Sequence, residues 1–413
     1  MHNYSISNKS KKLTLIALLF AGWFCDYLDR MVMSLGVTGI AKDFHLAPSE
    51  VGIVLSSFFV GYAFMQIPGG WLADKFGSKK LIVISIVMWS LFTVLTGLAW
   101  SLVSLLIIRF LFGIGQGSYP ASAAKSIAEN IPHKERGKAQ GIAMSANPIG
   151  LAIAPLVSAS IMATFGWRPL FIVMGVIGII LTTLFIYFHP SSKVRNKGNK
   201  VTNDEVGPSV KDVLCNIDIW KLAILDFGLS CASWGFSSWL PSYLMNVRHV
   251  DLVQTGIYAS LPFVAAALTQ MVSGWWLDKF LAGHEKIAMV AAGVLSVIFF
   301  YLMFNTDSLQ LSILYQILAS IPLYFNLTLI WVFVVKIFPT KTVGTASGIM
   351  NFGGNLAGVF SPMIMGFLIS ASGGSYISAF WFLIIAMIIS IIATLALNKS
   401  SISNKGINGI EEA

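Results

Sequence analysis

Apolar runs of about 20 residues, the length that crosses ~30 Å of hydrocarbon, follow one another down the chain with short polar connections between them. Twelve such runs lie at approximately 13–38, 50–73, 81–99, 102–127, 139–164, 168–188, 219–246, 254–277, 287–305, 309–336, 343–370 and 375–397. The pattern predicts an all-α integral membrane protein with twelve transmembrane helices. The longest internal polar stretch, from His189 to about Asn216, carries Ser, Lys, Asn, Gly and Pro and parts six runs from six. It reads as a cytoplasmic linker at 189–216, between a six-helix half at 1–188 and another at 217–413 that ends in a short cytoplasmic tail.

The two halves echo each other. Pro132, Lys134, Gly137, Gly141, Pro155 and Gly166 return as Pro339, Lys341, Gly344, Gly348, Pro362 and Gly373, each 207 residues later. A second echo, 204 residues apart, joins Gly70-Trp71-Leu72-Ala73-Asp74-Lys75-Phe76 to Gly274-Trp275-Trp276-Leu277-Asp278-Lys279-Phe280. A duplicated six-span unit marks many secondary transporters, whose site lies near the midplane between the halves and opens to either side in turn.

Composition agrees with the membrane reading: 56% of the 413 residues are hydrophobic and 11% charged, with 36 glycines, which excludes an ordinary soluble domain. The formal net charge of +9 does not point to nucleic acid, because the basic residues sit on alternate loops. Lys9, Lys11, Lys12, Lys79, Lys80, Lys134, Arg136, Lys193 and Arg195 fall on one side, whereas the opposite loops carry Lys42, Arg168 and Arg248. The positive-inside rule then places both termini in the cytoplasm. The first run is too long, and too polar in its second half, for a cleaved signal peptide. Cys25 and Cys231 lie in predicted helices and Cys215 in a loop, so neither a disulfide framework nor a metal site is indicated. No catalytic triad, His-Cys cluster or glycine-rich nucleotide loop stands in a suitable place, so neither an enzyme nor ATP-driven transport is expected, and no cofactor.

Inside the predicted spans the ionisable groups are few: Asp26, Asp29 and Arg30 in span 1, Arg109 in span 4 and Asp226 in span 7. A charge at mid-bilayer costs at least ~2.5–3.5 kcal/mol on insertion scales, so such groups face a cavity or a partner. At about 100° per residue, Asp29, Asp26, Arg30 and Tyr27 follow in that angular order around part of one helix. Trp23 and Ser34 extend the stripe, the arrangement expected of a face that borders a water-filled pathway. Arg30 offers planar bidentate donors to a carboxylate and cannot give up its charge. A nearby aspartate can gain or lose a proton as its surroundings change. The plainer reading is a permanent structural ion pair within span 1.

The stretch from Gly70 to Lys80, GGWLADKFGSKK with its leading glycine, resembles the loop signature of the major facilitator superfamily at every defined position. YLDR in span 1, GYAFMQIPGGWLAD in span 2, RFLFGIG in span 4 and IMNFGG in span 11 are similar to the anion:cation symporters, the branch with bacterial galactonate, glucarate and hexuronate transporters. The resemblance implies a cytoplasmic latch formed by Gly70, Asp74, Lys75, Gly77, Lys79 and Lys80, with topogenic charge as the plainer alternative; Glu129, one turn from Lys125, is either a further member of that charge network or a solvated helix end. In physical terms, Gly70 is expected to allow close helix packing and Gly77 a tight turn, with the lysines near anionic headgroups.

The same resemblance implies that Asp29 couples protons, that Arg30 holds the substrate carboxylate beside Tyr27, and that Arg109 belongs to the coupling network. By position it adds Tyr62, Asn147, Thr328, Trp331 and Asn351 to the substrate cavity, each with helix packing as the plainer alternative, and Asp226, whose plainer alternative is an acceptor for a substrate hydroxyl or ammonium group. Asn351 is read as a buried amide that needs a partner. Two departures stand out. Gln116 occupies a position where several relatives carry a second proton-binding glutamate, and Asp26 stands where the galactonate-type pattern has an uncharged residue. Asp26 or Asp226 is therefore expected to take over the proton handling that Gln116 cannot perform.

These features predict a monomeric, multi-pass proton symporter of the bacterial cytoplasmic (inner) membrane that imports a small organic anion, a sugar acid or similar hydroxylated carboxylate. The expected partners are that anion, protons and the lipid bilayer. The alternative is a proton-driven exporter. Exporters of the superfamily commonly carry a Gly-Pro-x-x-x-Gly type motif in span 5, where this chain has Asn147-Pro148-Ile149-Gly150.

Overall fold

The computed structural model describes residues 2–190, 213–281, 283–338 and 342–397. Lys193, Arg195, Pro339, Lys341 and most of the linker lie outside them, as do the side chains of Lys9 and Asp278. The helices are α1 (His2–Phe44), α2 (Pro48–Phe76), α3 (Ser78–Gly97), α4 (Leu102–Gly117), α5 (Tyr119–Asn130), α6 (Arg136–Met144), α7 (Ala146–Phe165) and α8 (Trp167–Phe188). After the linker come α9 (Ile217–Asn246), α10 (Leu252–Phe280), α11 (Glu285–Asn305), α12 (Leu309–Ile337), α13 (Val343–Ala371) and α14 (Ile377–Leu395). No strand occurs among the described residues.

Two of the expected spans are broken helices. The fourth divides at Ser118 into α4 and α5, and the fifth divides at Ser145 into α6 and α7, so the helices make twelve spans among the described residues. Ten of these are long and apolar enough to cross a membrane. The other two, α1 and α9, carry the intramembrane charges Asp26, Asp29, Arg30 and Asp226. The first helix also runs to Phe44, past the expected limit at 38.

Local chemistry sets the helix ends. Ser101 and Ser104 form a reciprocal cap at the start of α4, each hydroxyl accepting the other's backbone N–H. Pro48 opens α2, where Glu50 Oε2 accepts the Ala47 N–H at 2.8 Å. Gly77 joins α2 to α3 at φ 85°, a value that favours glycine.

The chain forms two units. The first takes in α1 to α8, and the second takes in α9 up to Trp239 and everything described from Leu261 onward. Residues 240–260, the adjoining ends of α9 and α10, group with the first unit and not with the half expected from the linker. The cause is a close approach of α10 to α7: a Cβ at Gly256 would stand 2.8 Å from the Pro155 carbonyl oxygen. Within the second unit, buried hydroxyls and amides tie helix to helix. Ser390 Oγ donates to the Leu225 carbonyl, Ser361 Oγ to that of Cys231 and Asn326 Nδ2 to that of Met289. Each satisfies a polar group that lipid cannot.

In the first unit, the far end of α1 is fastened to α8 by Asp43. Its Oδ2 accepts from Trp167 Nε1 at 2.8 Å and from Arg168 Nη1 at 2.7 Å, and the guanidinium lies 4.3 Å over the Trp167 ring. The indole N–H and the arginine hold the Asp43 carboxyl below the usual carboxylate range. A depressed acid stabilises the fold above its unfolded pKa and loses that contribution as the pH falls through the folded value. Both partners are half exposed, so the contribution is about 0.5–1 kcal/mol. Asp43→Ala is expected to lower the thermal midpoint in detergent at pH 7, and the deficit should vanish at pH values below the acid's titration. An equal deficit at both pH values would show that the carboxylate charge contributes nothing.

Candidate functional site

Close contact between α2 and α4 prepares the centre of the first unit. Gly113 lies against the Phe58 backbone, and a Cβ at Gly117 would stand 2.6 Å from the Tyr62 carbonyl oxygen. Because these glycines let the backbones meet, Phe58 and Tyr62 on α2 stand beside Gln116 on α4, and all three reach α1. On another side, Gly150 lets α7 approach α1, with its missing Cβ 2.8 Å from the Phe24 carbonyl oxygen.

Arg30 is buried there, 8% exposed. Its Nη2 donates to Asp26 Oδ2 at 2.9 Å, one turn back on the same helix, and to Gln116 Oε1 at 3.3 Å. Three rings surround the guanidinium, Tyr62 at 4.7 Å, Tyr27 at 4.8 Å and Phe58 at 5.1 Å, a low-dielectric box that favours a delocalised cation. Gln116 uses both ends of its amide: Nε2 donates to the Asp26 carbonyl oxygen at 3.1 Å. It therefore bridges α4 to both members of the pair. Asp26 is fully buried, and its second oxygen, Oδ1, makes no hydrogen bond among the described residues.

Asp29 turns to other helices. Its Oδ2 accepts from Thr93 Oγ1 on α3 at 3.2 Å, and Arg109 on α4 is within electrostatic reach, although no ion pair joins the two among the described residues. Arg109 is 2% exposed and packs on Phe112 at 4.4 Å and Phe58 at 5.6 Å. Phe58 thus lies against both buried guanidiniums. The sequence reading named neither Phe58 nor Thr93. Ser85, Thr93 and Thr96 recur on one face of α3 at helical spacing, a signal for Thr93, whereas an aromatic ring among 29 phenylalanines carries none. Asn147 is buried with Oδ1 lacking a partner among the described residues.

The candidates in the second unit are less concentrated. Asp226 is buried, with its carboxylate set against the backbone of Gly354 and beside the Ser230 hydroxyl. Thr328 Oγ1 donates to its own helix at the Tyr324 carbonyl. One turn back on the same helix, the buried Tyr324 hydroxyl does cross between helices, accepting from Ser233 on α9. Trp331 is 45% exposed. Asn351 is exposed, contrary to the expectation of a buried amide, because the glycines after it turn their face inward and leave Asn351 on the other side of α13.

The signature loop makes a compact charge network. Lys125 Nζ on α5 donates to Asp74 Oδ1 and to the Ala73 carbonyl, each at 2.8 Å, and lies 3.9 Å from Glu129, whose Oε2 accepts from Ser78. Lys79 donates to the His189 carbonyl oxygen. That imidazole is buried, with Ser126 Oγ at Nε2 and the Pro190 carbonyl at Nδ1, and burial pushes its pKa down to about 4. Lys75 lies 4.8 Å over Trp71, while Lys80 is exposed. Gly70 does not make the expected close packing: a Cβ there would meet nothing within 4 Å. Gly69 does so instead, 2.8 Å from the Ser118 Cα.

The family model of the Major Facilitator Superfamily matches residues 19–362 and 249–412. A "Probable sulfoacetate transporter" of Cupriavidus necator is 33% identical over 85% of this chain and 86% of its own length. A "Probable galactarate/D-glucarate transporter" of Escherichia coli K12 is 29% identical over 86% of this chain and 88% of its own. Among solved structures, a bacterial homologue of the human lysosomal transporter Spinster, inward-facing and unoccupied, superposes with a TM-score of 0.81 at 19% identity, covering 93% of this chain and 97% of that one. With the signature loop, the helical fold and the family model in agreement along its length, this chain belongs to the major facilitator superfamily, a family of membrane transporters and not enzymes.

Proposed function

We propose that the chain is a proton-coupled secondary transporter that imports a small organic anion, a sugar acid or a similar hydroxylated carboxylate, across the bacterial cytoplasmic membrane by alternating access. It works as a monomer with both termini in the cytoplasm. The observation that carries this reading is the buried Arg30–Asp26 pair. A cation boxed by three aromatic rings already holds a carboxylate, one supplied by its own helix. A substrate carboxylate has the same chemistry as that internal partner and competes with it for the same donors. The named relatives support the anion class, since sulfoacetate, galactarate and glucarate all bear a carboxylate.

Charge balance explains why a proton should travel with the anion. Arg30 and Arg109 carry two positive charges and Asp26 and Asp29 two negative ones, while Gln116 is neutral. Adding an anion leaves one negative charge uncompensated, a heavy cost in a medium of low dielectric constant. A proton on an aspartate restores the balance. Asp26 is the better carrier, because its protonation also frees Arg30 for the substrate. The groups that face it are Arg30 and Gln116, with Asp29, Cys25, Tyr62 and Tyr119 within electrostatic range. Asp29 and Arg109 form the second part of the coupling network. The Asp74, Lys75, Lys79, Lys80 and Glu129 network, with Gly77 at its turn, is the cytoplasmic latch.

Uptake into proteoliposomes with an imposed pH gradient tests the reading across a panel of sugar acids, sulfonated acids, aromatic acids and dicarboxylates. Accumulation driven by inward proton flow is expected, whereas expulsion would establish the exporter. Arg30→Lys keeps the charge but loses the planar fork, worth ~1.5–3 kcal/mol for a charge-assisted bond, and should raise the half-saturating concentration about 10- to 100-fold.

Asp26→Asn is expected to preserve exchange of substrate for substrate while abolishing proton-driven accumulation. Full accumulation by both Asp26→Asn and Asp29→Asn would sink the proposed coupling. Gln116→Glu adds one negative charge beside Arg30, so the variant should require one further proton per anion. The reversal potential of the transport current measures that stoichiometry.

A further inference from the structure

Of the buried acids described in the second unit, Asp218 is paired with Lys221 and Glu285 with Lys336, which leaves Asp226. Asp226 on α9 is 6% exposed and belongs to no ion pair among the described residues. Its carboxylate lies directly against the backbone of α13. A Cβ at Gly354 would stand 2.6 Å from Asp226 Oδ2 and 3.1 Å from Ser230 Oγ, and one at Gly353 would stand 2.7 Å from the Ala223 carbonyl oxygen. The paired glycines are what let the acid reach the backbone of α13 at Gly354. On the other side of the same turn, Asn355 Nδ2 donates to the Asn351 carbonyl at 2.9 Å. Asn351 and Phe352 are exposed, whereas Gly353 and Gly354 are buried against α9.

We infer that Asp226 is a positioning residue: its carboxylate fastens α13 at Gly354 and so fixes where the exposed turn carrying Asn351 stands. The groups against the carboxylate, the Gly354 backbone and the Ser230 hydroxyl, are neutral and come from within the unit, and no ion pair includes the acid among the described residues. What the site requires is an acceptor oxygen of the right reach, and not a negative charge. An asparagine in this place keeps one such oxygen and cannot titrate. An alanine keeps neither, and a methyl group at Gly354 pushes the carboxylate away. The inference therefore separates Asp226 from the proton carriers proposed in the first unit, and it rests on the transport reading only where uptake is the readout.

The test uses the full chain with Cys25, Cys215 and Cys231 replaced by serine and a reporter Gly348→Cys on α13. Position 348 is exposed, and a Cβ there meets nothing within 4 Å. In purified protein, Asp226→Ala and Gly354→Ala should change the rate of maleimide labelling by about fivefold or more, whereas Asp226→Asn should leave it unchanged. In proteoliposomes the first two should raise the half-saturating concentration about tenfold, and Asp226→Asn should match the parent in affinity, accumulation and pH profile. Ser230→Ala removes one partner with little threat to folding and should shift labelling in the same direction, by about twofold.

Loss of proton-driven accumulation in Asp226→Asn with labelling intact would overturn the inference in favour of a proton carrier. Parent-like labelling in Asp226→Ala, Gly354→Ala and Ser230→Ala would overturn it outright. If the parent protein transports none of the acids, the proposed function fails, and the labelling result still decides the clamp.

Discussion

The first unit depends on one constraint: a guanidinium that cannot lose its charge is buried among aromatic rings, so it must have an anion beside it. Removing one partner of a buried pair costs about 3–5 kcal/mol, comparable with much of a domain's net stability. Asp26 supplies that anion from the preceding turn, and Gln116 holds the geometry from α4. In the proposed transport cycle the pair is therefore structural and functional for the same reason: the internal carboxylate that stabilises Arg30 is also the group a substrate would displace, and the neutral amide of Gln116 holds the pair without adding a competing charge.

That arrangement requires helices packed closer than ordinary side chains permit. Gly61, Gly113 and Gly117 bring α2 and α4 into backbone contact, Gly150 does so for α7 on α1, and Gly22 makes room for Tyr119, whose hydroxyl donates to the Leu19 carbonyl. In lipid there is little hydrophobic gain from helix association, so small residues and buried hydrogen bonds provide the cohesion. A larger residue at any of these glycines moves Gln116, Tyr62 or Phe58 relative to Arg30. Sequence changes remote from the charges thus alter the electrostatics through distance.

The charged stripe of α1 was legible from the sequence because helical periodicity alone orders Asp29, Asp26, Arg30 and Tyr27 around the axis. The partners from other helices were less legible, since they depend on tertiary contacts that periodicity does not encode. Thr93 and Phe58 illustrate this: one is a hydroxyl on a face with several hydroxyls, the other a ring among many. The Gly70 expectation missed by one residue because a motif marks a loop and not the direction each helical position faces, and Gly69 carries the packing. For Asn351, the small residues around it marked a tight helix contact correctly, but 353 and 354 turn inward and 351 turns out. Burial follows the helix face, and not proximity in sequence.

The duplicated architecture is preserved as contacts more faithfully than as residues. Ser78 donates to Glu129 in the first unit, and 207 residues later Lys336 donates to Glu285 between the equivalent positions. The bond joins the same helix ends, but donor and acceptor have exchanged places. Such an exchange keeps the clamp because a hydrogen bond across two helix ends needs complementarity and not a particular direction. It changes the surrounding charge, however. Glu129 sits beside Lys125, which also reaches Asp74, whereas position 332, the equivalent of 125, is a valine and Lys336 itself supplies the cation. The same drift extends into the membrane, where the two units differ in their buried charges. Among the described residues, one unit places two arginines and two acids at the centre of its spans, on α1 and α4, and the other places one acid without an ion pair, Asp226, against the backbone of α13.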